Sequence, residues 1–166
     1  PGFFYNRRTM NGVKKLIKEV FTYFDAEHDF SQYDNNGDGK IDYFCIIWTG
    51  PDRGWGSTWW GWANSYESLF AGDPFTVDGK GLAVFSWQWE INEGQNEPEY
   101  TPKTIIHETG HGLGLPDYYD YDEKRGPSGG IGGLDIMDSA EFDHNCFSKW
   151  MLDWLTPSCQ ITSGAE

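Results

Sequence analysis

The 166-residue chain carries 26 Asp and Glu against 12 Lys and Arg, a formal net charge of −14. A field of that sign repels nucleic acid and anionic membrane surfaces, and no apolar run is long enough to span a bilayer. Hydrophobic residues reach only 38%, but 17% of the chain is aromatic, so the core of a single domain is expected to rest on large rings rather than many aliphatics.

In chain order, residues 10–30 predict an amphipathic helix, with Val13, Leu16, Ile17, Val20, Phe21 and Phe24 at helical spacing and lysines opposite. The turn-rich DNNGDGKID follows. Residues 41–49 (IDYFCIIWT) are nearly all apolar or β-branched and predict a strand buried on both faces. Residues 51–61 form a Gly/Trp-rich loop, and residues 81–90 (GLAVFSWQWE) predict a second strand, read as a sheet edge. After a polar linker, a helix is expected to start near Thr101, as cap, and Pro102, and to stop at Gly114. Residues 117–133 read as irregular, and residues 147–155 (FSKWMLDWL) as a closing helix. This order of elements predicts an α+β domain.

Three cysteines are present, Cys45, Cys146 and Cys159, which leaves at least one thiol unpaired within the chain. Cys45 reads as a core thiol. Cys146 and Cys159 are able to pair, and nothing in the sequence requires it. The chain opens on Pro1 and ends in a polar SGAE stretch, and both ends are expected to be cuts in a longer protein.

The chemistry concentrates in HETGHGLGLPD, residues 107–117. His107 and His111, four apart on a helix, stack on one face and can reach one metal ion. Gly114 lets the chain leave the helix sharply, and Asp117 can return as third ligand. Two imidazoles and one carboxylate leave a tetrahedral zinc an open fourth position, which is the pattern of a catalytic site; a structural zinc more often has four Cys or His ligands. Glu108, beside the first ligand, is placed to act as general base toward water, whose pKa zinc lowers to about 7. Gly110 and Gly112 each cost a helix about 1 kcal/mol relative to Ala. The close approach of another segment or of substrate would account for them.

A second candidate site lies upstream. In DNNGDGKID, Asp34, Asn36, Asp38, the Lys40 carbonyl and Asp42 fall at the alternating positions of the first part of an EF-hand-type loop. Cys45 stands where that loop would carry its last carboxylate, and the loop runs into a strand. The readings are a structural Ca²⁺ site or an Asx-rich turn.

The motif HExxHxxGxx(H/D) with a following methionine turn is that of the metzincin clan, and Met137 in GGLDIMDS is placed to be that turn. The chain resembles the M6 (immune inhibitor A-like) family of metallopeptidases in HETGHGLGLPDYYDYD, GGIGGLDIMDS and SKWMLDWLTP, and more loosely in YDNNGDGKIDYFCIIWTG. The resemblance implies a metzincin-like zincin domain: a twisted mixed sheet with an active-site helix, and a loop-rich lower subdomain. Residues 1–166 would form one catalytic domain, with an upper part at 1–114 and a lower part at 115–166. It also implies a secreted, prodomain-controlled zinc endopeptidase acting on protein or peptide substrates, taken here as a monomer. The first sheet strand expected in that family either precedes Pro1 or is missing. Asp117 stands where many members of the clan carry a third His.

Trp48, Trp55, Trp59, Trp60 and Trp62 read as rings capping a small core or as a stacking platform. The platform underlies an alternative, a glycan- or protein-binding module with a non-catalytic zinc site, which would have no use for Glu108. The strand at 81–90 offers edge pairing to a peptide, with Trp87 or Trp89 shaping a pocket. His144 reads as a surface histidine or a cleft residue, and His28 as structural.

Overall fold

The computed structural model describes residues 10–49, 59–89, 102–122, 124, 129–138, 140 and 142–158. The chain divides into two compact units, Pro1–Gly112 and Leu113–Glu166. The first unit holds the sheet. Helix α1 (Met10–Phe24) buries Val13, Ile17 and Phe21, which fall on one helical face. It ends earlier than its apolar periodicity predicts. The amides of Glu27 and His28 both bond to the Phe24 carbonyl, and Asp29 then caps a separate 3₁₀ turn at Phe30–Tyr33.

Among the described residues three strands follow: β1 (Lys40–Trp48), β2 (Trp62–Ser65) and β3 (Gly81–Trp89), in the order β1-β3-β2. The β1–β3 pair is parallel, from Lys40↔Gly81 to Trp48↔Trp89, and β2 lies antiparallel to β3 from Trp62↔Trp87 to Ser65↔Val84. The strand expected at the sheet edge, β3, is therefore central. It buries Phe85, Ser86, Trp87 and Gln88 almost completely. The strand expected to be buried on both faces, β1, is paired on one side only among the described residues. Of its residues only Ile41 is fully buried. The short α2 (Tyr66–Leu69), N-capped by Ser65, leads out of β2.

On one face of the sheet, Phe44 stacks on Phe85 at 5.3 Å and meets Phe21 of α1 edge-on at 5.0 Å. Tyr66, Phe70 and Val77 complete that core. On the other face lies α3 (Lys103–Gly112). The Tyr43 hydroxyl bonds the Ser86 hydroxyl at 2.6 Å and the Thr109 hydroxyl at 3.1 Å, tying α3 to β1 and β3. Burial raises the Tyr43 phenol above its ordinary range, and does the same to the neighbouring Cys45 thiol. The helix stops two residues before the predicted glycine, and Gly114 beyond it has a φ of 95°, the left-handed geometry that a sharp exit requires.

Among its described residues the second unit has one helix, α4 (Cys146–Met151), capped by the Asn145 side chain and shorter than its apolar pattern predicts. The remainder of its described residues is irregular. No helix among the described residues is long and apolar enough to cross a membrane.

Candidate metal centres

On α3, one turn of helix brings His107 and His111 together, with ring centroids 5.0 Å apart. Ligand atoms of His107, Glu108 and His111 lie within 4.8 Å of one another, so these three residues can hold a metal ion. Both imidazoles are half-buried, and Glu108 is 6% exposed.

Two glycines allow this packing. A Cβ at Gly112 would sit 2.6 Å from the Tyr43 ring, so that glycine exists for the close approach of another segment. Sequence reasoning anticipated this. It did not anticipate Gly61, immediately before β2. A Cβ there would overlap the Thr104 side chain and come within 3.4 Å of Glu108 Oε1. The chain therefore enters β2 directly beside the Glu108 carboxylate.

Trp48, Trp59, Trp60 and Trp62 pack against the rings of β3. Trp48 lies 5.2 Å from Trp59 and 5.1 Å from Trp87, while Trp60 lies 4.7 Å from Trp89. Trp87 and Trp89 are buried, and Trp48, Trp59, Trp60 and Trp62 are half-buried. Trp55 lies outside the described residues. With β3 flanked on both sides, the expected edge pairing by that strand is not possible, and Trp87, 1% exposed, shapes no open pocket.

Asp117 belongs to the second unit, where the Tyr121 hydroxyl donates to its Oδ2. The Tyr121 side chain is largely exposed; partial desolvation of its hydroxyl, and then that carboxylate, raise the phenol above its ordinary range. Met137 is completely buried in a tight turn, closed by the Asp138 amide on the Asp135 carbonyl. The Tyr118 amide in turn bonds the Met137 carbonyl at 2.8 Å.

Sequence reasoning missed what holds that turn. The Asp135 carboxylate is wholly buried. Its Oδ1 accepts from the Met137 amide at 2.8 Å and lies 3.2 Å from His144 Nδ1. Its Oδ2 accepts from the Asn145 amide at 2.8 Å and the Ser148 hydroxyl at 2.6 Å. Burial by itself would raise its pKa, but these four bonds outweigh burial and hold the carboxyl below the ordinary range. His144, read as a surface or cleft residue, is instead part of this buried network. Serine and histidine each bond the aspartate rather than one another, so this is no nucleophilic triad.

The upstream loop brings Asp34, Asp38 and Asp42 together, with ligand atoms within 4.8 Å of one another. Left-handed Gly37 and Gly39 turn the chain at φ of 76° and 86°. Each side chain spends one oxygen on the loop itself. Asp34 Oδ2 accepts from the Gly39 amide, Asn36 Oδ1 from the Asp38 amide, Asp38 Oδ1 from the Lys40 amide, and Asp42 Oδ2 from the Asn35 amide and side chain. The other oxygens of Asp34 and Asp42 are buried and accept no hydrogen bond. Buried carboxylate oxygens without partners are costly, and a cation is the partner that suits them. Lys40 opens β1, and its ammonium pairs with Glu67 at 2.9 Å.

No protein-family model matches the chain, and no curated protein matches it.

Proposed function

We propose that the chain is a zinc-dependent endopeptidase of the M6 type, with His107 and His111 as zinc ligands and Glu108 as general base. The observation that carries the reading is the convergence of the three side chains on one turn of α3, with the carboxylate buried beside them. Spacing within the motif gives the third ligand to Asp117 and the methionine turn to Met137. Zinc held there supplies Lewis acidity toward water and a peptide carbonyl. Glu108 takes a proton from the attacking water and returns it to the leaving amine.

Among the described residues β2 is paired on one side only and starts beside Glu108. A substrate peptide adding to that edge would be positioned at the carboxylate. Trp48, Trp59, Trp60 and Trp62 are half-buried and pack against the buried Trp87 and Trp89, which supports the core reading of these rings over a stacking platform. The acidic loop is proposed as a calcium site, with Asp34, Asn36, Asp38, the Lys40 carbonyl and Asp42 as ligands. A secreted, monomeric enzyme acting on proteins or peptides is part of the same proposal.

The test is hydrolysis of casein by the wild type, Glu108→Gln and chelator-treated protein, with metal content assayed in each. Glu108→Gln is expected to keep its zinc and lose about 10²–10⁴-fold in rate. Chelation is expected to abolish hydrolysis. Zinc bound at full occupancy with no hydrolysis in any sample would overturn the endopeptidase reading.

A further inference from the structure

Lys80 lies outside the Asp34–Asp42 loop in sequence, yet its ammonium is 2.7 Å from Asp34 Oδ2. That oxygen is already bonded by the Gly39 amide, whereas Oδ1 accepts nothing. The Asp34 side chain is only 1% exposed and that of Lys80 29%, so the unpartnered oxygen is closed to water beside an ammonium that is partly exposed. Lys80 is held there by its own turn. Val77 and Lys80 pair through both backbone bonds at 2.9 Å, and Asp78 accepts from the Phe30 amide at 2.7 Å. The Gly81 amide then bonds the Gly39 carbonyl at 2.9 Å. The 77–80 turn is thus docked on both flanks of the loop.

We propose that Lys80 is a resident countercharge that sets the cation affinity of this loop. The proposal rests on the reading of the loop as a calcium site. Lys80 occupies the outer oxygen of Asp34 and leaves the inner one to the cation, so both charges can be present at once. Without a cation, the ammonium offsets one of three clustered carboxylates and holds Asp34 in its ligand geometry. With a cation, it repels. Affinity for Ca²⁺ rises with ligand charge count and site rigidity, and Lys80 supplies rigidity while subtracting charge. The result is a site that keeps its shape when empty and fills only where calcium is abundant, as in the ~10⁻⁴–10⁻³ M range of extracellular modules.

The experiment is calorimetric titration of the whole chain with Ca²⁺, for the wild type, Lys80→Gln, Lys80→Met and Lys80→Arg, with thermal melts in chelator to establish that each variant folds. Lys80→Gln and Lys80→Met are expected to bind Ca²⁺ about tenfold more tightly at low ionic strength. That gap should narrow in high salt. Lys80→Arg, which keeps the charge, should stay within about twofold of the wild type. Unchanged or weaker binding by both neutral variants, with the wild type binding normally, would overturn the countercharge role alone. No binding by any variant at millimolar Ca²⁺ would overturn the calcium reading and the proposal with it.

Discussion

In the first unit the buried centre is a stack of rings; in the second it is a carboxylate. Phe21 of α1 joins Phe44, Phe85 and Trp87 of the sheet in one cluster of rings. The second unit buries a far smaller apolar cluster, Leu115, Ile136 and Met137, with Tyr118 and Leu152 against it. Its order comes from Asp135, which gathers the methionine turn, His144, and the amide and hydroxyl at the start of α4 around one negative charge. Apolar burial is non-directional and tolerates repacking. A saturated buried carboxylate is directional, so it can hold an irregular segment in one conformation where no sheet is present to do so.

The largest effect should come from attacking the carboxylate. Asp135→Asn keeps the shape but leaves one acceptor oxygen, so two of four buried donors lose their partner. At about 1–3 kcal/mol for each orphaned group, the loss is about 2–6 kcal/mol. Amide exchange should show it first at residues 135–148, and wild-type protection there would mean that Asp135 is not the organiser. Ile17→Ala, at a completely buried position of α1, should cost about 2–5 kcal/mol. Its exchange should rise in α1 and the sheet while residues 135–148 are affected less. Equal loosening of both regions by either substitution would erase the contrast.

The smallest effect is electrostatic. Asp73 receives the ammonium groups of Lys18 at 2.8 Å and Lys14 at 2.9 Å from α1. Those bonds lower its pKa from 3.8 to about 2. A depressed carboxyl stabilises the fold above its unfolded pKa and loses that contribution as pH falls through the folded value. Urea midpoints of the wild type should therefore drop between about pH 4 and pH 2, and Asp73→Asn should flatten part of that drop. Because the pair is substantially exposed, added salt should shrink the difference.

The rings were legible in the sequence and the carboxylate was not. Helical spacing located α1, apolar runs located β1 and β3, and the spacing of His107, Glu108 and His111 anticipated their convergence on α3. The end of α1 was misread because Phe24 and Phe30 continue an apolar rhythm that local bonds at Phe24 and the Asp29 cap interrupt. Strand β2 and helix α2 have four residues each, too few for any period to register. With β2 unseen, β3 could not be recognised as central, since centrality belongs to the neighbours of a strand. Asp135 is one of 26 acidic residues, and only the three-dimensional arrangement of its donors distinguishes it. Lys80 and Gly61 escaped notice for the same reason: each matters through a partner distant in sequence.

The parallel β1–β3 pair also bears on how the chain reaches its native state. Its first rung, Lys40↔Gly81, joins residues about 40 apart, and every later rung keeps that separation. Contacts so remote in sequence make for slow folding, because chain entropy is lost before any pairing rewards it. One end of that ladder is the corner beside the acidic loop and the 77–80 turn, where Gly81 meets Gly39 and Lys80 meets Asp34, so this corner carries contacts that the bare strand pairing does not. Contacts there close the same long loop as the ladder that runs from Ile41 to Trp48, so they share its entropic cost rather than adding a second one.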